Sequence, residues 1–230
     1  MADNTTLNSG SGGDVIASDD ISGVKYQRIK LIHGADGTNA GDVSKDNPLP
    51  TCTRHCNPQY KFLTGLSAAG ANKVHFDLFN ASGSGKTMRI ISVKAIKDGS
   101  SAVTGTLSVK LYLTFTSAVG TGGTAHTENN TTITDVSISK MSAANAALPS
   151  QITGRARPTG GATAGAVLGT RSVFTEETNA SSYAAVEFLD NLNNTVIQPI
   201  TCAEGVGIRM VQGAVASVGS LDFEVTFELE

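Results

Sequence analysis

The stretch Leu221-Asp222-Phe223-Glu224-Val225-Thr226-Phe227-Glu228-Leu229 decides the fold. Apolar and polar side chains alternate through it without a break. That period of two belongs to a strand with one buried face, because successive side chains of a strand point to opposite sides. The same pattern recurs upstream. Lys73 to Phe79 (KVHFDLF) alternates, and Met88 to Lys97 (MRIISVKAIK) is strand-like and stops at Asp98-Gly99. Residues 106–116 place Leu107, Val109, Leu111, Leu113 and Phe115 on one face. Residues 133–139 and 207–212 continue the series. Several such strands joined by polar turns predict an all-β fold, an antiparallel β-sandwich of jelly-roll-like form, over residues 61–230.

Helical signals are weak. Residues 137–148 (SISKMSAANAAL) and 181–192 could each hold a short turn or two, ended by Pro149 and by an Asn-rich stretch. Residues 117–130 and 154–169 are Gly, Ala and Thr with few large side chains, which predicts long surface loops carrying partner contacts.

Residues 1–60 read differently. The first 22 are mostly Asn, Ser, Gly and Asp, the composition of an arm that cannot bury a core. Val24 to His33 (VKYQRIKLIH) alternates as one strand and ends at the turn Gly34-Ala35-Asp36-Gly37. Asn47-Pro48-Leu49-Pro50-Thr51 is extended, since each Pro pushes its predecessor out of the helical region. The expectation is an extended N-terminal arm with one strand.

Composition excludes several function classes. The 230 residues are 40% hydrophobic and 16% charged, with a net charge of −3. A nucleic-acid binder needs an excess of Lys and Arg for phosphate contacts, so no nucleic acid is expected as partner. No apolar run approaches the roughly 18 residues of a membrane helix, so no membrane partner is expected. MADNTTLNSGSGG has neither a basic n-region nor an apolar h-region, and no secretory signal is expected. Three cysteines, an odd number, argue against a disulfide scaffold.

Gly83-Ser84-Gly85-Lys86-Thr87 looks like the end of a phosphate-binding P-loop. That motif needs an earlier Gly, where Asn80 stands, and a following helix whose amides face the phosphates. The following segment is strand-like, so a strand-to-strand loop is expected. Cys52-Thr53-Arg54-His55-Cys56 gathers two thiols and an imidazole. A zinc site completed by His33 or Cys202 competes with free thiols; structural zinc usually needs a second ligand pair, so thiols are favoured. A Cys52–Cys56 bridge would close a short loop and gain little. His75 falls on the polar side of its strand and is expected to be solvated or at an interface. Glu176-Glu177 and Asp19-Asp20 are expected to be solvated surface, because adjacent strand residues point to opposite faces. No nucleophile elbow accompanies the four His, and no Trp is present to stack on a sugar. No catalytic, cofactor-binding or metal residues and no cofactors are assigned, and the chain is read as a non-enzyme.

The run Gly13 to Lys30 (GDVIASDDISGVKYQRIK), with His33-Gly34-Ala35-Asp36-Gly37, Asp42-Val43-Ser44 and Asn47-Pro48-Leu49-Pro50, resembles the N-terminal region of a group of tailed-bacteriophage virion proteins. Phe79 to Ile90 (FNASGSGKTMRI) is similar to a strand–turn–strand segment of such proteins. The resemblance covers about the first 97 residues. It carries no catalytic residues. It implies a virion structural protein, assembled in the bacterial host cytoplasm. The first expectation is a head decoration or cement protein, a homo-oligomer with a trimer favoured, whose arm grips the major capsid protein or other virion proteins. The alternative is a tail- or fibre-associated host-recognition protein binding glycan through residues 117–130 and 154–169. A wall hydrolase is the remaining reading, and it lacks any site of the required geometry.

Overall fold

The computed structural model describes residues 5–6, 15–16, 18–22, 24–27, 57–97, 104–106, 108–128, 136–160, 164–175, 185–190 and 200–230. The chain falls into two compact units, Met1–Thr53 and Arg54–Glu230.

The first unit contains β1 (Thr5–Thr6), β2 (Val15–Ile16), β3 (Ser18–Ile21) and β4 (Val24–Gln27). β1 pairs antiparallel with β2, and β3 with β4. Ile21 faces Val24, so the reversal takes two residues, and Ser22 sits in the left-handed region at φ 56° that such tight hairpins require. The single strand expected in this region is therefore corrected to two small pairs. Residues 28–33 of the expected strand, and the Pro48–Pro50 stretch, lie outside the described residues.

The second unit is built from β5 (Gln59–Thr64), β6 (Ser67–Ala68), β7 (Val74–Asn80), β8 (Met88–Lys97), β9 (Ser108–Thr116), β10 (Thr124–His126), β11 (Val136–Lys140), β12 (Ile152–Ala156), β13 (Ala164–Phe174), β14 (Val186–Asp190), β15 (Ile200–Cys202), β16 (Val206–Gln212) and β17 (Ser220–Leu229). No helix occurs among the described residues. One sheet runs β10-β12-β7-β16-β9-β13. The other runs β11-β5-β17-β8-β14, with β15 also on β8 and β6 on β17. All the pairings between these strands are antiparallel. Strands near the start of this unit lie beside strands near its end, β5 on β17 and β7 on β16, which is the connectivity of Greek-key sandwiches rather than of a meander.

The two sheets pack face to face into an all-β sandwich. Leu221, Phe223, Val225, Phe227 and Leu229 all enter the core, as the alternation in β17 requires. They meet Phe76 and Leu78 of β7, Val109, Leu111 and Leu113 of β9, and Ile208 and Met210 of β16. Tyr60 stacks on Phe227 with ring centroids 5.4 Å apart, and its hydroxyl donates to Ala146 O at 2.9 Å. The polar end of a buried Tyr is thereby satisfied.

Three expectations are corrected here. Residues 154–169 are not one loop, because β12 ends at Ala156 and β13 begins at Ala164. Gly154 is a strand residue whose missing side chain makes room for the opposite sheet. A Cβ there would stand 2.9 Å from the Phe62 ring and 3.1 Å from Ile138 Cδ1. Of the short helical turns expected in 137–148 and 181–192, the first stretch begins as β11 and holds one turn closed by Asn145 N donating to Ser142 O, while the described part of the second forms β14 and residues 181–184 and 191–192 lie outside the described residues. Strand pairing with β5 and β8 outweighs the local preference of these Ala- and Ser-rich stretches. The third concerns His75 and belongs to the site below.

Candidate functional site: a basic corner beside strand β7

Strand β7 carries a bulge. Phe76 faces Met210 on β16 while Val74 faces Val211, so His75 is the extra residue. A bulge turns two successive side chains to the same side. His75 and Phe76 both lie against Phe223, with ring centroids 5.1 and 5.5 Å away. His75 is fully buried, with Nδ1 2.9 Å from Ser67 Oγ, which corrects the expectation of a solvated histidine. Strict alternation fails there because the strand is irregular. Burial, reinforced by Lys73 and partly offset by Gln212, pushes its pKa down to about 4, so the ring is neutral at neutral pH.

Past the bulge, alternation resumes and Asp77 points to the outer face. Register places Arg155 of β12 on one side of it and Arg209 of β16 on the other. Arg209 donates from Nε to Asp77 Oδ1 at 2.5 Å and from Nη2 to Oδ2 at 2.9 Å. Asp77 is 0% and Arg209 4% exposed, because residues 117–123 fold over them. Gly120 N donates to Asp77 Oδ2 at 2.7 Å, and Arg155 Nη1 donates to Gly122 O at 2.6 Å. A Cβ on Gly120 would lie 2.7 Å from both Asp77 Oδ2 and Pro158 Cβ, so only glycine lets the backbone come this close. Thr121 and Gly160 exchange backbone hydrogen bonds and fasten the strap to the chain after β12.

Beside this row opens a cavity of about 540 Å³, lined by residues 70–74, 157–160 and Arg209. Lys73 and Arg157 are its uncompensated charges: among the described residues neither meets a carboxylate. Burial and the neighbouring Arg157 charge hold the Lys73 ammonium below its ordinary pKa. Arg157 is at φ 53° and Asn72 at φ 56°, the two left-handed non-glycine residues found in the described part of the sandwich. Arg157 is held there by its amide, which donates to His75 O at 2.7 Å, and by Nη1, which donates to Leu66 O at 3.1 Å. Strained backbone that persists in this way concentrates at functional sites.

The Gly83–Thr87 loop is a strand-to-strand connection from β7 to β8, as expected. Its amides do cradle an anion, and that anion is internal: Glu204 accepts from Gly85 N at 2.6 Å and Gly83 N at 3.1 Å. Those backbone bonds hold the Glu204 carboxyl below the usual range. The donors a nucleotide would need are already taken.

No group of three or more His, Cys, Asp or Glu suited to a metal occurs among the described residues. Cys52, His55, Cys56, His33, Glu176 and Glu177 lie outside them. Asp19 and Asp20 fall on β3. Cys202 is buried on β15, its thiol pushed up to about 12 by burial. His126 lies against the Phe62 ring, and burial with the charges of Arg157 and Arg155 brings it down to about 4. The basic corner itself escaped sequence reasoning. Its signal was a charged residue inside each of two otherwise apolar strands, Asp77 in VHFDLF and Arg209 in VGIRMVQ.

Comparison with protein-family models, with curated proteins and with solved structures finds no match for this chain.

Proposed function

We propose that the chain is a non-enzymatic structural protein of a tailed-bacteriophage virion, a head decoration or cement protein that binds the capsid surface and stabilises the shell. The observation that carries this reading is the division of labour along the chain. Every member of the described core lies at Tyr60 or beyond, inside the unit Arg54–Glu230. The sandwich thus has a core of its own, and residues 1–53, which carry most of the resemblance, are left to serve attachment. Short strands and exposed backbone are suited to adding onto a neighbour's sheet edge, and repetition across a symmetric shell multiplies modest contacts into firm attachment.

The outer edge of the six-stranded sheet supports an oligomer. Among the described strands β13 pairs with β9 alone, and it exposes Val167 (58%) and Phe174 (63%). Large exposed apolar side chains on an edge strand suit contact with a second copy or with the major capsid protein.

Immunogold microscopy of purified virions with an antibody to residues 100–230 tests the reading. Label over the head is the expected result; label confined to tail or neck overturns decoration in favour of host recognition, and unlabelled particles overturn both. Deleting residues 1–22 is expected to leave the sandwich folded and abolish incorporation into particles. Loss of the fold on that deletion would show that the arm belongs to the domain.

A further inference from the structure

We propose that the cavity bordered by Lys73, Arg157, Asn72 and Thr159 is a binding site for a phosphate dianion, free or carried as a monoester. The inference stands apart from the virion reading and holds wherever on a particle the protein sits.

Charge is the first argument. The walls carry three cations, and Arg209 is already neutralised by its forked bonds to Asp77. Lys73 and Arg157 remain, and the Arg157 charge, after burial, disfavours the Lys73 ammonium. A dianion matches that pair, whereas a single carboxylate would leave one charge over. A phosphate monoester carries about −1.5 to −2 at pH 7, with three acceptor oxygens.

Donor geometry is the second. Arg157 keeps N–H donors beyond its Nη1 bond to Leu66 O, Lys73 adds a point charge with three rotatable donors, and Asn72 and Thr159 line the same wall. Preorganisation is the third. Arg157 and Asn72 are both left-handed, and the bulge at His75 supplies the carbonyl that holds Arg157 in place. Bulges recur next to functional sites because they re-aim side chains. Here the bulge, the strained residues and two cations that meet no carboxylate among the described residues come together at one cavity, whose floor is stiffened by the Asp77–Arg209 pair.

The chemistry has two sources, a free oxyanion or a phosphorylated sugar, and the volume admits either. Calorimetric titration of the full chain at pH 7.5 and constant ionic strength, with inorganic phosphate, a hexose 6-phosphate and acetate, distinguishes them. Phosphate is expected to bind one to one, with acetate at least about tenfold weaker. Tighter binding of the hexose phosphate assigns the sugar; equal binding assigns the oxyanion alone. Lys73→Met is expected to weaken phosphate about tenfold or more, and Arg157→Lys, which keeps the charge and loses the fork, to weaken it as well. Lys86→Met, on the Gly83–Thr87 loop, is the control and should change nothing. Among the described residues the Lys73 side chain makes no hydrogen bond, so its variant carries the test if Arg157→Lys fails to fold. No heat with either phosphate, acetate binding as well as phosphate, or equal losses in Lys73→Met and Lys86→Met would overturn the proposal.

Discussion

Arg209 holds Asp77 by two parallel hydrogen bonds on a face of the sheet that residues 117–123 have sealed from water. A pair in such a place is costly to desolvate, and its geometry has to compensate. It does so with a bidentate fork and a third bond from Gly120 N. The same contact that satisfies the carboxylate fastens the loop. Loop position, sheet register and the floor of the neighbouring cavity therefore depend on one ion pair.

Breaking that pair from one side leaves a buried charge without a partner. Asp77→Ala is expected to lower stability by about 3–5 kcal/mol, read as a shift in the urea midpoint at unchanged slope. Asp77→Leu combined with Arg209→Met should cost clearly less than Asp77→Ala, because neither charge remains. A double variant as unstable as the single one would mean that the loop contact, not the charge, carries the stability.

His75 makes the fold sensitive to mild acid. Its folded pKa, about 4, lies below the ordinary 6.5, so between those values the unfolded chain binds more protons. The stability this ring contributes is whole above pH 6.5 and is lost progressively as pH falls toward 4. The loss amounts to roughly 3 kcal/mol for a shift of this size. Unfolding midpoints measured from pH 7 to 4 should fall, and His75→Gln should flatten the fall. His126, lowered by a similar environment, keeps a residual slope. Parallel curves for the two proteins would place the acid sensitivity elsewhere.

Strands with a clear apolar signal were legible in the sequence, and irregularities within strands were not. β17 and β16 follow their apolar periodicity, since one face of each meets a core that fills every second position. β8 was legible as a strand, but its core face changes phase from Met88 and Ile90 to Val93 and Ala95 at the Ile91 bulge against β17. β5 carries the same signal in Tyr60, Phe62 and Thr64, all buried, but the run is short and follows Pro58, which weakens it. β12 and β13 were hidden by small residues. In β12 the reason is Gly154, where Phe62 from the facing sheet occupies the space; in β13 it is exposure, which removes any demand for apolar alternation. His75 was misplaced because a bulge shifts the phase of alternation by one residue, and nothing in KVHFDLF announces a bulge. The basic corner was unreadable for a related reason: residues 72–73, 157 and 209 are far apart in the chain and meet only through the β12-β7-β16 register.

Gly154 offers a direct test of the sheet-to-sheet fit. Gly154→Ala is expected to destabilise by about 1–3 kcal/mol through overpacking against Phe62 and Ile138. Trimming the obstruction should recover part of that loss: Phe62→Leu ought to cost less in the Gly154→Ala background than in the wild type. Such coupling, measured by a double-mutant cycle, requires the two side chains to be in contact. Strict additivity would show that the sheets are spaced more widely at this point.

Glu204 tests what the Gly83–Thr87 loop is for. Its carboxylate accepts from the amides of Gly83 and Gly85 and lies in the open. Those bonds favour the ionised form, so their contribution is present at neutral pH and lost as pH falls through the lowered folded pKa. Glu204→Gln should therefore speed hydrogen exchange at the Gly83 and Gly85 amides at pH 7. The global unfolding midpoint should stay where it is, because the loop lies outside the core. Acidifying the wild type should reproduce the local opening, once the intrinsic pH dependence of exchange is removed. If the carboxylate is what occupies the cradle, a nucleoside triphosphate will not protect those amides in the wild type. Unchanged exchange in Glu204→Gln, or protection by the nucleotide, would return the loop to the phosphate-binding reading that its sequence first suggests.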